Sequence, residues 1–199
     1  MTVSKVVWLT GIPNSGKTTL GKELFNTLSR RGERVFLCDS DEFRKMYPNL
    51  GYTHKDRLTL FDKLGDFIKD KLNSFTIIII SATANLILYR DIVKRKILLK
   101  SDISFLEVFV DCPVEICATY RDKKKGIYSL AEKENWKLPI YIKKKFDFIR
   151  SFESCRKYIE FRFKHYSYYE PPIENFLHIR SDSVSLKNQV EKVIEFLGE

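Results

Sequence analysis

Residues Gly11 to Thr18 read Gly-Ile-Pro-Asn-Ser-Gly-Lys-Thr, with the spacing G-x-x-x-x-G-K-[ST]. Those residue types suit the wrapping of a phosphate chain. Glycine at each end admits backbone angles that a side chain forbids. Successive N–H groups then turn inward onto phosphate oxygens, backed by the positive end of the following helix. On this reading Gly11, Asn14, Ser15, Gly16, Lys17, Thr18 and Thr19 hold the triphosphate of ATP. Lys17 reaches its β- and γ-phosphates, and the Thr18 hydroxyl holds Mg²⁺.

A second group of reactive side chains follows in Asp39-Ser40-Asp41, with Arg44 a helical turn later. Asp39 or Asp41 orders Mg²⁺ or accepts the proton of an attacking hydroxyl. The competing reading is that Ser40 or Asp41 simply caps the next helix. Arg57 falls in the first turn of an expected helix, where the dipole disfavours a cation. That placement points to an anionic partner or to a local salt bridge with Asp56 or Asp62. Arg90 comes early enough in its helix to face the same ligand edge. In the basic segment Arg121 to Tyr128, Arg121 is suited to stack on adenine and Lys125 to neutralise a phosphoryl group in transfer.

The elements that must position these groups alternate between strand and helix. Val6 to Leu9 is a short apolar strand before the loop, and a helix with apolar residues three to four apart runs from the loop to about Arg30, stopped by Gly32. Val35 to Cys38 is a second strand that ends on the two acids. Thr53 caps a helix from about Lys55 to Leu72. Phe75 to Ala82 is a continuous apolar run, the mark of a central parallel strand buried on both faces. No Walker B aspartate stands at its end, which shifts metal ordering back to Asp39 or Asp41. A helix over 86–99, a strand over 105–110, a short helix over 114–120, a strand over 175–179 and a closing helix over 183–197 complete the order. This pattern predicts one α/β domain over 1–199, a parallel sheet of about five strands with helices on both faces. A lid over about 121–135 and a basic, aromatic helical insertion over about 136–168 are added to it. Basic residues interleaved with aromatics also suit single-stranded nucleic acid, though a hairpin packed on the core is the simpler reading.

Bulk properties narrow the class. A formal net charge of +9 on 199 residues fits a polyanionic partner, nucleotides included. The four cysteines have no C-x-x-C pairing and the three histidines no metal spacing, which argues against zinc. No apolar run is long enough to cross a bilayer and no signal peptide fits the first residues, so a cytoplasmic location is expected.

Several stretches resemble the adenylylsulfate kinase family of P-loop kinases. Val7-Trp8-Leu9-Thr10-Gly11 and the loop are similar to V-x-W-L-T-G-L-S-G-S-G-K-T. Leu37 to Arg44 resembles L-D-G-D-x-x-R, and Gly51 to Arg57 resembles G-F-S-x-x-D-R. Glu107 to Cys117 is similar to E-V-x-V-x-x-P-L-E-V-C, Lys125 to Tyr128 to K-G-L-Y, and Tyr169 to Pro172 to Y-E-x-P. The resemblance implies Mg²⁺- and ATP-dependent phosphorylation of the 3′-hydroxyl of adenylylsulfate. Asp41 then has the metal or base role, with Thr18 at the metal, and Arg44, Arg57 and Arg90 hold the acceptor. The chain departs from the family in four places. Leu60 stands where the family has asparagine, and Ala84-Asn85-Leu86-Ile87 replaces S-P-Y-R. The lid carries an extra lysine, and the F-T-G stretch has no counterpart. The donor half is intact and the acceptor half rebuilt, which keeps a related acceptor such as cytidine diphosphoramidate, or a nucleic-acid-acting nucleotide-binding module, as alternatives. The partner set is a small nucleotide-like acceptor without a membrane, with a homodimer left open.

Overall fold

The computed structural model describes residues 4–99, 103–119 and 169–198. The elements are β1 (Ser4–Thr10), α1 (Lys17–Arg30), β2 (Val35–Asp39), α2 (Ser40–Lys45), α3 (His54–Lys71), β3 (Ile77–Ser81), α4 (Ile87–Leu98), β4 (Ile103–Asp111), α5 (Val114–Thr119), β5 (Phe176–Arg180) and α6 (Leu186–Leu197). The strands form one five-stranded sheet in the order β2-β3-β1-β4-β5. Every pairing is parallel. The expected lid and insertion, with Arg121 and Lys125, lie outside the described residues.

Strand side chains alternate between two cores, as a period of two requires. Val6, Trp8, Ile78 and Ile80 face α3 and α4, where Leu60, Phe61, Leu64, Ile68, Tyr89, Val93 and Ile97 close over them. Val7, Leu9, Ile77 and Ile79 face the opposite way, onto Leu20, Leu24 and Leu28 of α1 and Val190, Val193 and Ile194 of α6. β3 is buried at all five positions, which is why its sequence reads as an unbroken apolar run. Leu60, where the family pattern has asparagine, is a core residue 1% exposed.

The boundaries moved where side chains cap helices. α6 starts at Leu186 rather than 183 because the Ser185 hydroxyl accepts the Asn188 N–H. α3 starts at His54 because Thr53 and Asp56 form a reciprocal capping box. α2 is capped by Asp39, not by Ser40 or Asp41: its Oδ1 accepts the Asp41 N–H at 2.9 Å. Parallel strands all run the same way, so the carboxyl ends of β1, β2, β3 and β4 bring the loops after them to one edge, where ligands of open α/β sheets collect.

Candidate active site

The phosphate-type loop leaves β1 at Thr10 and enters α1 at Lys17. Its turn uses three left-handed residues, Gly11 at φ 151°, Asn14 at φ 61° and Gly16 at φ 107°. Gly11 also has no room for a side chain, since a Cβ there would stand 2.3 Å from the Val110 carbonyl oxygen. α1 begins on Gly16 with no side-chain cap and no acid in its first turn. Its N-terminal N–H groups and dipole suit an anion. Lys17 is buried in the middle of the loop, donating to the carbonyls of Gly11 (3.0 Å) and Ile12 (2.7 Å). Ser15 is buried and its carbonyl accepts the Ser181 hydroxyl, which ties the loop to the segment after β5. Asn14 donates to the Cys117 carbonyl in α5 at 3.4 Å. Thr18 and Thr19 are exposed in the first turn of α1.

Thr18 donates its hydroxyl to Asp39 Oδ2 at 2.8 Å and lies 3.4 Å from the Ser81 hydroxyl. The parallel register explains this meeting, because Asp39 and Ser81 are partners at the ends of β2 and β3. Ser81 therefore occupies the strand end where the Walker B aspartate was missed. The oxygen-only set of Thr18, Asp39 and Ser81 suits a hard cation that keeps most of its water, as Mg²⁺ does. Of the two acids the sequence offers for the cation, Asp39 at the strand end is the one that meets the Thr18 hydroxyl, while Asp41 is exposed as the second residue of α2.

Arg44 and Arg57 converge on Tyr52. Their guanidinium carbons lie 4.5 Å and 5.7 Å from the Tyr52 ring centroid. Arg44 donates to the Gly51 carbonyl at 2.7 Å. Arg57 is only 4% exposed, and its Nε donates to the Tyr52 carbonyl at 3.0 Å. One of its terminal nitrogens donates to Asn85 Oδ1 at 3.1 Å. Of the two acids considered as local partners, Asp62 pairs with Lys96 at 2.7 Å and Asp56 accepts the Thr53 hydroxyl at 2.7 Å.

Arg90 sits beneath this region rather than at its surface. It is 2% exposed, with Nε on Glu107 Oε1 at 2.8 Å and its two terminal nitrogens on the carbonyls of Ala84 (2.7 Å) and Glu170 (2.8 Å). A buried cation needs such partners to offset lost hydration. The sequence reading put Arg90 at the acceptor; here each of its three guanidinium nitrogens meets a protein oxygen, and it braces the Ala84 and Glu170 carbonyls. α4 has no cap of its own, and Glu170 supplies one across 83 residues, its Oε2 accepting the Ile87 N–H at 2.8 Å. Tyr169 stacks on Phe109 and its hydroxyl lies 2.9 Å from Thr10 Oγ1. Thr10 donates its one hydroxyl proton to the Thr83 carbonyl, so Tyr169 is the donor in that pair.

Three further features lay beyond the sequence reading. Asn85 belongs to the stretch read there as a departure, and that departure at the end of β3 was its signal. Asp111, buried at the end of β4, meets His178 Nε2 at 3.0 Å across the β4–β5 pairing. His54 at the start of α3 hydrogen-bonds the Tyr89 hydroxyl at 2.8 Å. Beside the site, burial and then the neighbouring Asp39 charge push the Cys38 thiol up to about 12, so it stays protonated and unreactive at neutral pH. No helix among the described residues is long and apolar enough to cross a membrane.

Comparison with known proteins adds a family to this geometry. The family model described as Adenylylsulphate kinase matches residues 3–146. The adenylyl-sulfate kinase of Clostridium kluyveri is 38% identical over 127 residues, 63% of this chain and 61% of that protein. The match thus spans under two thirds of that relative's length. The adenylyl-sulfate kinase of Buchnera aphidicola subsp. Schizaphis graminum is 29% identical over 195 residues, 98% of this chain and 79% of that one. The structure of the Mycobacterium tuberculosis APS kinase CysC in complex with AMPPNP and APS superposes with a TM-score of 0.72 at 24% identity, covering both chains fully. That last likeness is one of fold.

Proposed function

The chain belongs to the adenylylsulphate kinase family, and from that premise we propose that it transfers the γ-phosphoryl group of ATP to the 3′-hydroxyl of adenylylsulfate. The observation that carries this reading is the open N-terminus of α1, with Thr18 held against Asp39, facing the same sheet edge as the arginines around Tyr52. The first half is built for a triphosphate and its cation, the second for a ring-bearing anion.

In the proposed reaction the loop amides and Lys17 bind the β- and γ-phosphates. Thr18 and Asp39 are the residues that would hold Mg²⁺, which when bound supplies charge neutralisation between those phosphates. Arg44 and Arg57 fix the acceptor's anionic groups, and Tyr52 offers a ring face to its base. Asp41 takes the proton of the 3′-hydroxyl as that oxygen bonds to the γ-phosphorus. The bond from that phosphorus to the bridging oxygen breaks, and ADP leaves. Little covalent work falls to the protein, so rate follows from positioning and charge.

The test is ATP consumption by purified protein with adenylylsulfate, with cytidine diphosphoramidate, with single-stranded oligonucleotides and with no acceptor. Stimulation by adenylylsulfate that vanishes in Lys17→Ala supports the proposal. Stimulation by either of the other acceptors, with none by adenylylsulfate, overturns it. Asp41→Asn is expected to lower kcat by about 100-fold or more.

A further inference from the structure

Ser181 stands one residue past β5, and its hydroxyl reaches the phosphate loop across 166 residues of sequence. Its own place is fixed first. Arg180 is in register with Asp111 at the ends of β5 and β4. The Ser181 N–H carries that pairing one step on by donating to the Asp111 carbonyl at 2.8 Å. Around it, the Arg180 guanidinium grips the Asp182 carboxylate with two bonds of 3.0 Å. A bidentate pair fixes direction as well as distance. Ser181 is 9% exposed, so its hydroxyl is presented from a buried, tied backbone.

The acceptor it meets is the main-chain carbonyl of Ser15, a residue with no exposure. A buried carbonyl must find a partner, and the choice of partner here has a consequence for the loop. The Ser15–Gly16 peptide unit is planar and trans, so its carbonyl and its N–H point in opposite directions. Holding the Ser15 carbonyl therefore turns the Gly16 N–H away from Ser181. Gly16 has φ 107°, and its own carbonyl accepts the Leu20 N–H at 2.9 Å. Glycine has more backbone freedom than any other residue, so an N–H on Gly16 keeps one direction only if the carbonyls on both sides of it are tied. Leu20 supplies one tie from inside α1, and Ser181 supplies the other from the far end of the chain.

We propose that Ser181 is a positioning residue for the phosphoryl donor: by holding the Ser15 carbonyl it aims the Gly16 N–H at a phosphate oxygen of ATP. This rests on the ATP half of the function proposed above and not on the identity of the acceptor.

Calorimetric binding of a non-hydrolysable ATP analogue with Mg²⁺, together with separate KM values for ATP and adenylylsulfate, tests it in three variants. Ser181→Ala is expected to weaken analogue binding and raise the ATP KM by about 3- to 10-fold, the worth of one hydrogen bond, while the adenylylsulfate KM holds. Ser181→Thr keeps the hydroxyl and is expected to bind the analogue at close to wild-type strength. Ser181→Cys nearly conserves the volume and is expected to keep the melting temperature, yet bind the analogue as weakly as Ser181→Ala. A purely structural brace predicts a lower melting temperature in Ser181→Ala with unchanged analogue affinity, and that result overturns the inference. So does an equal rise in both KM values, or a Ser181→Thr protein that melts with wild type and binds as weakly as Ser181→Ala. If Ser181→Ala does not fold, Ser181→Cys decides the matter by itself. A wild type that binds the analogue but is not stimulated by adenylylsulfate removes the acceptor assignment alone, and the binding data then decide this inference. A wild type that gives no heat with the analogue overturns the ATP reading, and this inference with it.

Discussion

Replacing Gly11 by alanine isolates the steric requirement of the phosphate loop. The added Cβ would meet the Val110 carbonyl oxygen at 2.3 Å and the Ser15 hydroxyl at 2.8 Å. Val110 belongs to the buried strand β4, whose neighbouring residue Phe109 is registered against Thr10, so neither backbone can withdraw without breaking the ladder. Overpacking of this kind costs about 1–3 kcal/mol. A side chain at φ 151° adds backbone strain of about 1–3 kcal/mol. Together they take about 2–6 kcal/mol from a domain whose whole stability is of order 5–15 kcal/mol. At roughly 2–4 °C per kcal/mol for a chain of this size, the melting temperature falls by about 4–24 °C. Gly32→Ala is the control: its φ is 88°, but nothing lies within 4 Å of a Cβ there, so only the backbone strain applies. Thermal denaturation of both variants, with and without Mg-ATP, provides the measurement. Wild type at a hundredfold excess of ATP over its Kd gains about 2.7 kcal/mol, and Gly11→Ala is expected to lose that gain along with its lower starting point. A Gly11→Ala protein that melts with Gly32→Ala and still responds to ATP would falsify the packing argument.

Asp39→Asn keeps a good helix cap for α2 but removes the charge beside Thr18, so the Mg²⁺ dependence of turnover is expected to shift by about 10- to 100-fold at an unchanged melting temperature; an unmoved Mg²⁺ titration sinks the assignment. Arg90→Met leaves the Glu107 carboxylate without its buried partner, a loss of about 3–5 kcal/mol, and the double variant Arg90→Met, Glu107→Leu is expected to recover part of it. Chemical denaturation that finds Arg90→Met as stable as wild type contradicts the bracing role. Cys38, pushed up from 9.0 to about 12, is neutral in the folded protein across the ordinary range. An acid whose folded pKa is raised supports the fold fully below its unfolded value and loses that support as pH climbs from 9 toward 12. Iodoacetamide at pH 8.5 is accordingly expected to label Cys38 only after denaturant is added; rapid labelling of the native protein speaks against its burial.

Periodicity and turn chemistry are local, and so they were legible along the chain. The apolar run at Ile77 to Ile80 announced a buried parallel strand, Gly11 and Gly16 announced the loop, and Thr53 announced the start of α3. The family could be told because its motifs are short segments of contiguous residues. What pairs with what at long range was not legible. Which aspartate meets Thr18 depends on where β2 ends beside β3, a matter of sheet register. Arg90 reads from sequence as a cation free to reach the cleft, and only packing placed Glu107, Ala84 and Glu170 around it. Glu170 caps a helix that begins 83 residues earlier, and no local rule couples positions that far apart. The sequence by itself thus determined the fold class, the phosphate loop and the family, because each is written in contiguous residues. Only the tertiary structure decided the partners of Asp39, Asn85 and Arg90, because burial forces each polar group to find a partner wherever the fold brings one within reach.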